Sequence, residues 1–158
     1  MEFLSKDGTF LLKEFFDLPT IGSSYNTVDF QVLIITDLKS DGKIGCLRLT
    51  THYPSRSGND DYIGTLDPDE IDACVMCLEK IKTDISPTAP TIYTEVEYKT
   101  RDGVKIGSFW REKKSEWVIY VQTKSYTSRS TTSLNTTSLP SLISNLKEAK
   151  ELIATKCN

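Results

Sequence analysis

The sequence predicts an α+β fold: an antiparallel sheet built from two β-meander–helix units, with the two helices packed on one sheet face. Three observations carry this. First, KSDGKIGCLRL (39–49) and TRDGVKIGSFW (100–110) are near-repeats, each following an apolar or alternating run. Asp-Gly between such runs marks a tight hairpin, because the turn needs positive φ, which Gly adopts without strain. Second, the flanking segments read as strands. Third, each meander is followed by apolar residues at helical spacing, near 71–81 and 139–153.

Taken in order, VDFQVLIITDL (28–38) is nearly continuously apolar, as in a strand buried on both faces. Pro54, Gly58 and clustered Asn and Asp give THYPSRSGNDDY (51–62) the composition of a surface loop, and DYIGTL (61–66) ends the first meander. The first helix starts at Asp67 as N-cap, with Pro68 in the first turn and Glu70 completing an Asp-x-x-Glu capping box. Ile71, Cys74, Val75, Leu78 and Ile81 share its buried face. Two prolines in ISPTAP (85–90) make this stretch the connector between pseudo-repeat units of about 1–86 and 91–158, within one domain spanning 1–158.

In the second unit TIYTEVEYKT (91–100) alternates. Ile92, Val96 and Tyr98 point one way, and Tyr93, Glu95, Glu97 and Lys99 the other, as on a half-exposed strand. SEWVIYVQTK (115–124) adds a strand with Trp117, Ile119 and Val121 on one face. The Ser/Thr-rich stretch 123–138 is either a mobile loop or a Thr-rich edge strand. The closing helix carries its stripe at Leu139, Leu142, Leu146, Ala149 and Ile153. The helix stripes superpose at an offset of 71 residues and the Asp-Gly turns at 61, so the second unit is about ten residues longer.

The composition, 38% hydrophobic and 26% charged over 158 residues, is that of a folded globular chain. No apolar run approaches the roughly 20 residues of a membrane span. The start, MEFLSKDGTFLLKEFF, lacks the basic and apolar regions of a signal peptide, so the expected compartment is the cytoplasm, with no membrane partner. Cys46, Cys74, Cys77 and Cys157 are then expected to be reduced. The net charge of −3 is unevenly spread: residues 1–90 hold 8 basic and 15 acidic residues, and 91–138 hold 8 and 5.

Reactive groups are few. Cys74 and Cys77 have the C-x-x-C spacing of dithiol oxidoreductases, but Cys74 lies about two turns past the helix start, where the dipole no longer favours a thiolate. Both fall on or beside the apolar face, which reads as packing. A thiol oxidoreductase is the least favoured reading. Zinc would need four ligands, and Cys46, Cys157 and His52 stand singly along the chain. No nucleophile elbow, phosphate loop or EF-hand pattern accompanies the lone His52 or the carboxylates of GNDDY (58–62). The expectation is no enzyme, no catalytic residue, no cofactor and no metal.

The second meander interleaves cations with aromatics, and Tyr93, Tyr98, Lys105, Phe109, Arg111, Lys113, Lys114 and Tyr120 form the candidate binding surface. Aromatic platforms beside cations suit single-stranded nucleic acid. Two meander-helix units are similar in outline to PUR-type and Whirly-type single-strand binders, a resemblance that implies such binding; no motif of those families is matched, so no residue carries over. The overall acidity weighs against it. The string YIGTLDPDEIDACVMCLEKI (62–81) followed by TEVEYKTRDG (94–103) resembles a group of small uncharacterised bacterial proteins. This likeness spans roughly 62–123 plus the terminal Leu-rich helix and implies a fold without an activity. The sequence therefore points to a non-enzymatic module that binds another protein or itself through a sheet face or edge, with single-stranded nucleic acid as the alternative partner.

Overall fold

The computed structural model describes residues 8–158. Strands β1 (Leu11–Ser23), β2 (Asn26–Asp37), β3 (Lys43–Ser55) and β4 (Gly58–Leu66) form one antiparallel sheet in the order β1-β2-β3-β4. Helix α1 (Pro68–Lys80) follows, widening into a π-helical turn at Ile81–Ile85. Strands β5 (Glu95–Lys99), β6 (Lys105–Arg111), β7 (Glu116–Gln122) and β8 (Thr131–Asn135) form a second antiparallel sheet in the order β5-β6-β7-β8, and helix α2 (Leu139–Cys157) closes the chain. The class is α+β, four strands and a helix, twice. Each meander closes as its own sheet; α2 lies across β1, β2 and β3, while α1 touches β3 of the first sheet and β5 and β6 of the second.

Alternation explains the first sheet. Val28, Phe30, Val32 and Ile34 of β2 face inward with Leu47 and Leu49 of β3 and Leu66 of β4, where they join Ile71, Cys74 and Leu78 of α1 and Leu142, Leu146 and Ile153 of α2 in one core. Each such aliphatic side chain contributes about 1.5–3 kcal/mol by leaving water. The continuous apolar stretch of β2 also has an outward set: Leu33 and Ile35 form a second, smaller cluster with Cys46. Gly45 is required where α2 crosses, since a Cβ there would lie 2.7 Å from Ile153 Cγ2 and 2.9 Å from Ile34 Cδ1.

Two expectations are corrected and one open choice is resolved. Residues 51–62 are no surface loop: β3 and β4 stay paired to Ser55 and Gly58, and only Arg56 and Ser57 turn. The stretch 123–138 divides, with an irregular first part and a 3₁₀ turn at Ser128–Ser130, then β8 as the outer strand of its sheet. The two Asp-Gly turns, aligned in sequence, differ in place. Asp41-Gly42 joins the second and third strands of its meander, whereas Asp102-Gly103 joins the first and second of its own. The positive φ falls on Asp41 (56°) in the former and on Gly103 (87°) in the latter. Asp41 tolerates it because Asp37 braces the turn, accepting the Lys39 N–H at 2.9 Å and the Ser40 hydroxyl at 3.0 Å.

The two sheets meet through polar contacts. Thr51 Oγ1 lies 2.7 Å from Thr123 Oγ1 and 2.8 Å from Ser130 O. Gly64 admits the second sheet's approach, since a Cβ there would lie 2.3 Å from Val104 Cγ2. Glu70, buried at the start of α1, accepts the Asp67 N–H at 2.9 Å as half of the capping box and the Arg101 N–H at 2.7 Å. The next residue, Asp102, accepts from Thr65 N–H at 3.0 Å on β4.

Candidate functional site

The outer face of the second sheet gathers part of the expected surface. Glu95, Glu97 and Lys99 of β5 lie opposite Phe109, Gly107 and Lys105 of β6, and Gly107 lies opposite Tyr120 of β7. Tyr93, Phe109 and Tyr120 make a row of tilted rings, with centroids 6.5 and 6.1 Å apart. Tyr120 lies over Gly107, whose missing side chain leaves room for the hydroxyl. That hydroxyl donates to Glu97 Oε2 at 2.8 Å, and the Tyr93 hydroxyl donates to Glu95 Oε2 at 3.2 Å. Burial, then the two glutamates, push the Tyr120 phenol far above its ordinary value, so it stays a donor.

Not all the candidates share this surface. Tyr98 points the opposite way and packs on the main core. Lys113 and Lys114 sit on a 3₁₀ turn (Glu112–Lys114) between β6 and β7. Arg111 pairs with Glu116 at 3.1 Å, and Lys105 with Glu97 at 3.2 Å. The interleaving of rings and cations seen along the sequence becomes, at the centre of the face, an interleaving of rings and carboxylates. Ile92, read as facing inward with Val96, lies before β5 and is 71% exposed. Trp110 and Trp117 pack edge to face on the inner side, and the Trp117 indole donates to Thr88 O at 2.9 Å, fastening the connector.

None of the thiols lines the clefts of the first sheet described below or the outer face of the second. Cys74 is fully buried in the α1 stripe. Burial, with a smaller contribution from Cys77, pushes its pKa far above the ordinary value, and burial likewise raises Cys77. Cys46, buried on the other side of the first sheet, is pushed up to about 11 by burial and by Asp67 and Asp102. Attack requires the thiolate, which these surroundings disfavour. Among the described residues no cluster of three His, Cys, Asp or Glu side chains is arranged to hold a metal ion. Among the described residues, no helix is long and apolar enough to cross a membrane.

Two features of the first sheet escaped the sequence reading. On its outer face His52 stands between two carboxylates, Nδ1 2.6 Å from Asp61 Oδ1 and Nε2 2.9 Å from Asp29 Oδ2. Partial burial alone would lower the His52 pKa; the bonds and charges of Asp61 and Asp29 outweigh it and hold the imidazole above its ordinary value. These residues border an open cleft of about 430 Å³ that also includes Asp17, Gln31 and Arg48. A larger cleft of about 710 Å³, lined mainly by hydroxyl and amide side chains including Ser133, Ser141 and Asn145, lies between the β1–β2 turn, β8 and α2.

The second feature is the β1 edge. Among the described residues, β1 pairs only with β2, through eleven of its thirteen residues. Phe10 O accepts the Leu38 N–H at 2.8 Å, and Asp37 N–H turns away to Gly42 O at 2.9 Å. The β1–β2 register runs unbroken from Leu11 to Leu18. Backbone groups alternate in direction along a strand. The even residues of β1 therefore bond to β2, while Leu11, Lys13, Phe15 and Asp17 turn their N–H and C=O outward. Leu12 is 46% exposed and Phe15 47% exposed beside this edge. The register shifts at a bulge between Leu18 and Ile21, where buried Asn145 holds Pro19 O at 2.7 Å, and pairing resumes from Ile21 to Ser23. Position is the signal that marks such an edge: the first strand of a meander has one neighbour.

No protein-family model, no curated protein and no solved structure matches the chain.

Proposed function

We propose that this protein is a non-enzymatic association module that receives an extended strand from a partner protein along β1. The observation that carries the reading is the outward row of backbone groups at Lys13, Phe15 and Asp17 beside exposed apolar side chains. An open strand edge of this length is a template for strand addition: main-chain bonds supply affinity, and alternate side chains supply selectivity. Natural edges are blunted by short strands, proline, edge lysines or inward-pointing charge, and Lys13 and Glu14 on β1 restrict this edge to a partner of complementary charge. Residues 11–18 of β1 contain no proline and mix Leu and Phe with Lys, Glu and Asp. The outer face of the second sheet supports the reading less well, because its hydroxyls and Lys105 are already engaged by Glu95 and Glu97.

The test uses a fluorescent peptide carrying residues 10–18 as a surrogate strand. Titration into the full-length protein is expected to give saturable binding and slower amide exchange at Lys13, Phe15 and Asp17. Lys13→Pro, which removes an outward N–H without breaking the β1–β2 ladder, is expected to abolish both. Absent binding, binding unchanged by Lys13→Pro, or protection confined to other strands overturns the reading.

A further inference from the structure

We infer that the strand received by β1 is the β1 of a second copy, in a two-fold antiparallel pairing centred on Phe15. The inference rests on the edge reading above and adds the identity of the occupant and its register.

The argument is one of parity and charge. A two-fold axis normal to a continuous sheet keeps the same face of both copies on one side, so each residue pairs with one of its own parity, and the interface is isologous. Outward-turned residues are odd, so odd must meet odd for the ladder to form. The side chains then choose among the remaining registers. Centring on Lys13 places two ammonium groups opposite each other, and centring on Glu14 does the same with two carboxylates; like charges directly opposed are destabilising. Centring on Phe16 sets Lys13 against Pro19, which has no N–H to give, and leaves only the Phe15–Asp17 pairs, whereas centring on Phe15 puts Pro19 opposite Leu11, outside the three inner pairs. Centring on Leu12 leaves Lys13 facing Leu11 and Glu14 facing Phe10, with no charge paired.

Centring on Phe15 behaves differently. Phe15 meets Phe15, and on either side Lys13 meets Asp17 of the other copy. All three pairs fall at outward-turned positions, so about six main-chain hydrogen bonds form, two for each pair. On the inner face Leu12 meets Leu18. Asp17 is prepared for the contact: Gln31 Nε2 donates to its Oδ1 at 2.7 Å, leaving Oδ2 for the incoming lysine. Phe15 is likewise held in place, with the Arg48 guanidinium 5.7 Å from its ring centroid. The new pairing is bounded by Pro19, which has no N–H, and by the bulge that shifts the β1 register beyond Leu18. At its outward-turned positions the segment from Lys13 to Asp17 thus complements itself in charge and hydrogen-bond direction, with Glu14 opposite Phe16 on the inner face.

The experiment is sedimentation equilibrium of the full-length chain across the micromolar range, at low salt. The wild type is expected to dimerise reversibly. Lys13→Asp and Asp17→Lys, each placing like charges opposite one another twice, are expected to weaken the dimer about tenfold, and the double exchange to restore it. Phe15→Cys, in a Cys77→Ser/Cys157→Ser background, is expected to give a disulfide-linked dimer on oxidation, since like residues face each other at the axis. Far-ultraviolet circular dichroism and thermal melting establish that each variant is folded. A chain that stays monomeric throughout overturns the second-copy assignment; if the surrogate peptide still binds and protects β1, the edge reading survives it. A dimer indifferent to the charge exchanges, or one that Phe15→Cys does not link, overturns the register.

Discussion

Thr51 on β3 and Thr123 after β7 share a hydrogen bond of 2.7 Å between their hydroxyls, and it lies inside the protein where the two sheets meet. Two protons serve three contacts: one hydroxyl donates to the other, and the second proton goes to the carbonyl beside its own hydroxyl, Ser130 O at 2.8 Å from Thr51 or Tyr62 O at 3.0 Å from Thr123. The junction between the sheets is thus specified by polar groups whose partners are all supplied from inside. Thr51→Val, similar in shape, removes the shared hydrogen bond while Ser130 O keeps the Thr123 N–H and Thr123 Oγ1 keeps Tyr62 O, so it is expected to destabilise by about 0.5–1.5 kcal/mol in urea unfolding.

Gly64 predicts a steric counterpart. An added Cβ would lie 2.3 Å from Val104 Cγ2 and 2.7 Å from the Thr123 carbonyl oxygen, which belongs to the backbone and has little freedom to retreat. Gly64→Ala is expected to cost about 1–3 kcal/mol through forced separation of the sheets, read as a lowered urea midpoint. Gly58→Ala, where a Cβ would meet open space, serves as a comparison in which only the positive φ of 130° is strained.

His52 predicts a pH dependence with a defined sign. Its folded pKa is raised above the ordinary 6.5, so the imidazolium is stabilised by folding. The contribution is fully present below the unfolded value of about 6.5 and is lost as pH rises through the raised folded value. Proton NMR titration of the imidazole is expected to give a midpoint above 6.5. His52→Gln is expected to remove the pH-dependent part, about 1 kcal/mol or less because the site is partly exposed to solvent.

Cys74 predicts chemical silence. Fully buried, with a pKa pushed far upward by burial, it is expected to react with iodoacetamide only at the rate of global unfolding, whereas half-buried Cys157 reacts in the native state. Mass spectrometry of the modified peptides after timed alkylation distinguishes the two.

Local grammar made much of the fold readable. The Asp67–Pro68–Glu70 helix start, the α2 stripe and the alternation of β5 each depend on residues within one turn or one strand. β1 was opaque for a physical reason. Phe15 and Phe16 are adjacent and face opposite sides, Pro19 falls at a bulge, and exposed Leu12 breaks any simple period. The turn at Arg56–Ser57 was obscured because Pro54 and the Asn-Asp run sit within paired strand instead of beside it. The candidate surface was half legible. Parity separates Tyr98 from Tyr93, but the engagement of Tyr120 by Glu97 and of His52 by Asp29 and Asp61 depends on register between strands, which no short window of sequence contains.

Arg101 and Asp102 are neighbours in the chain, yet one grips the cap of α1 and the other the rim of β4. A two-residue clasp of this kind ties the second half's first turn to the first half's last two elements. The molecule accordingly has no hinge at residues 86–94, despite the prolines there: pulling the halves apart uncaps a helix and strips a strand in the same motion. Heat should therefore dismantle both halves together, in one sharp endotherm.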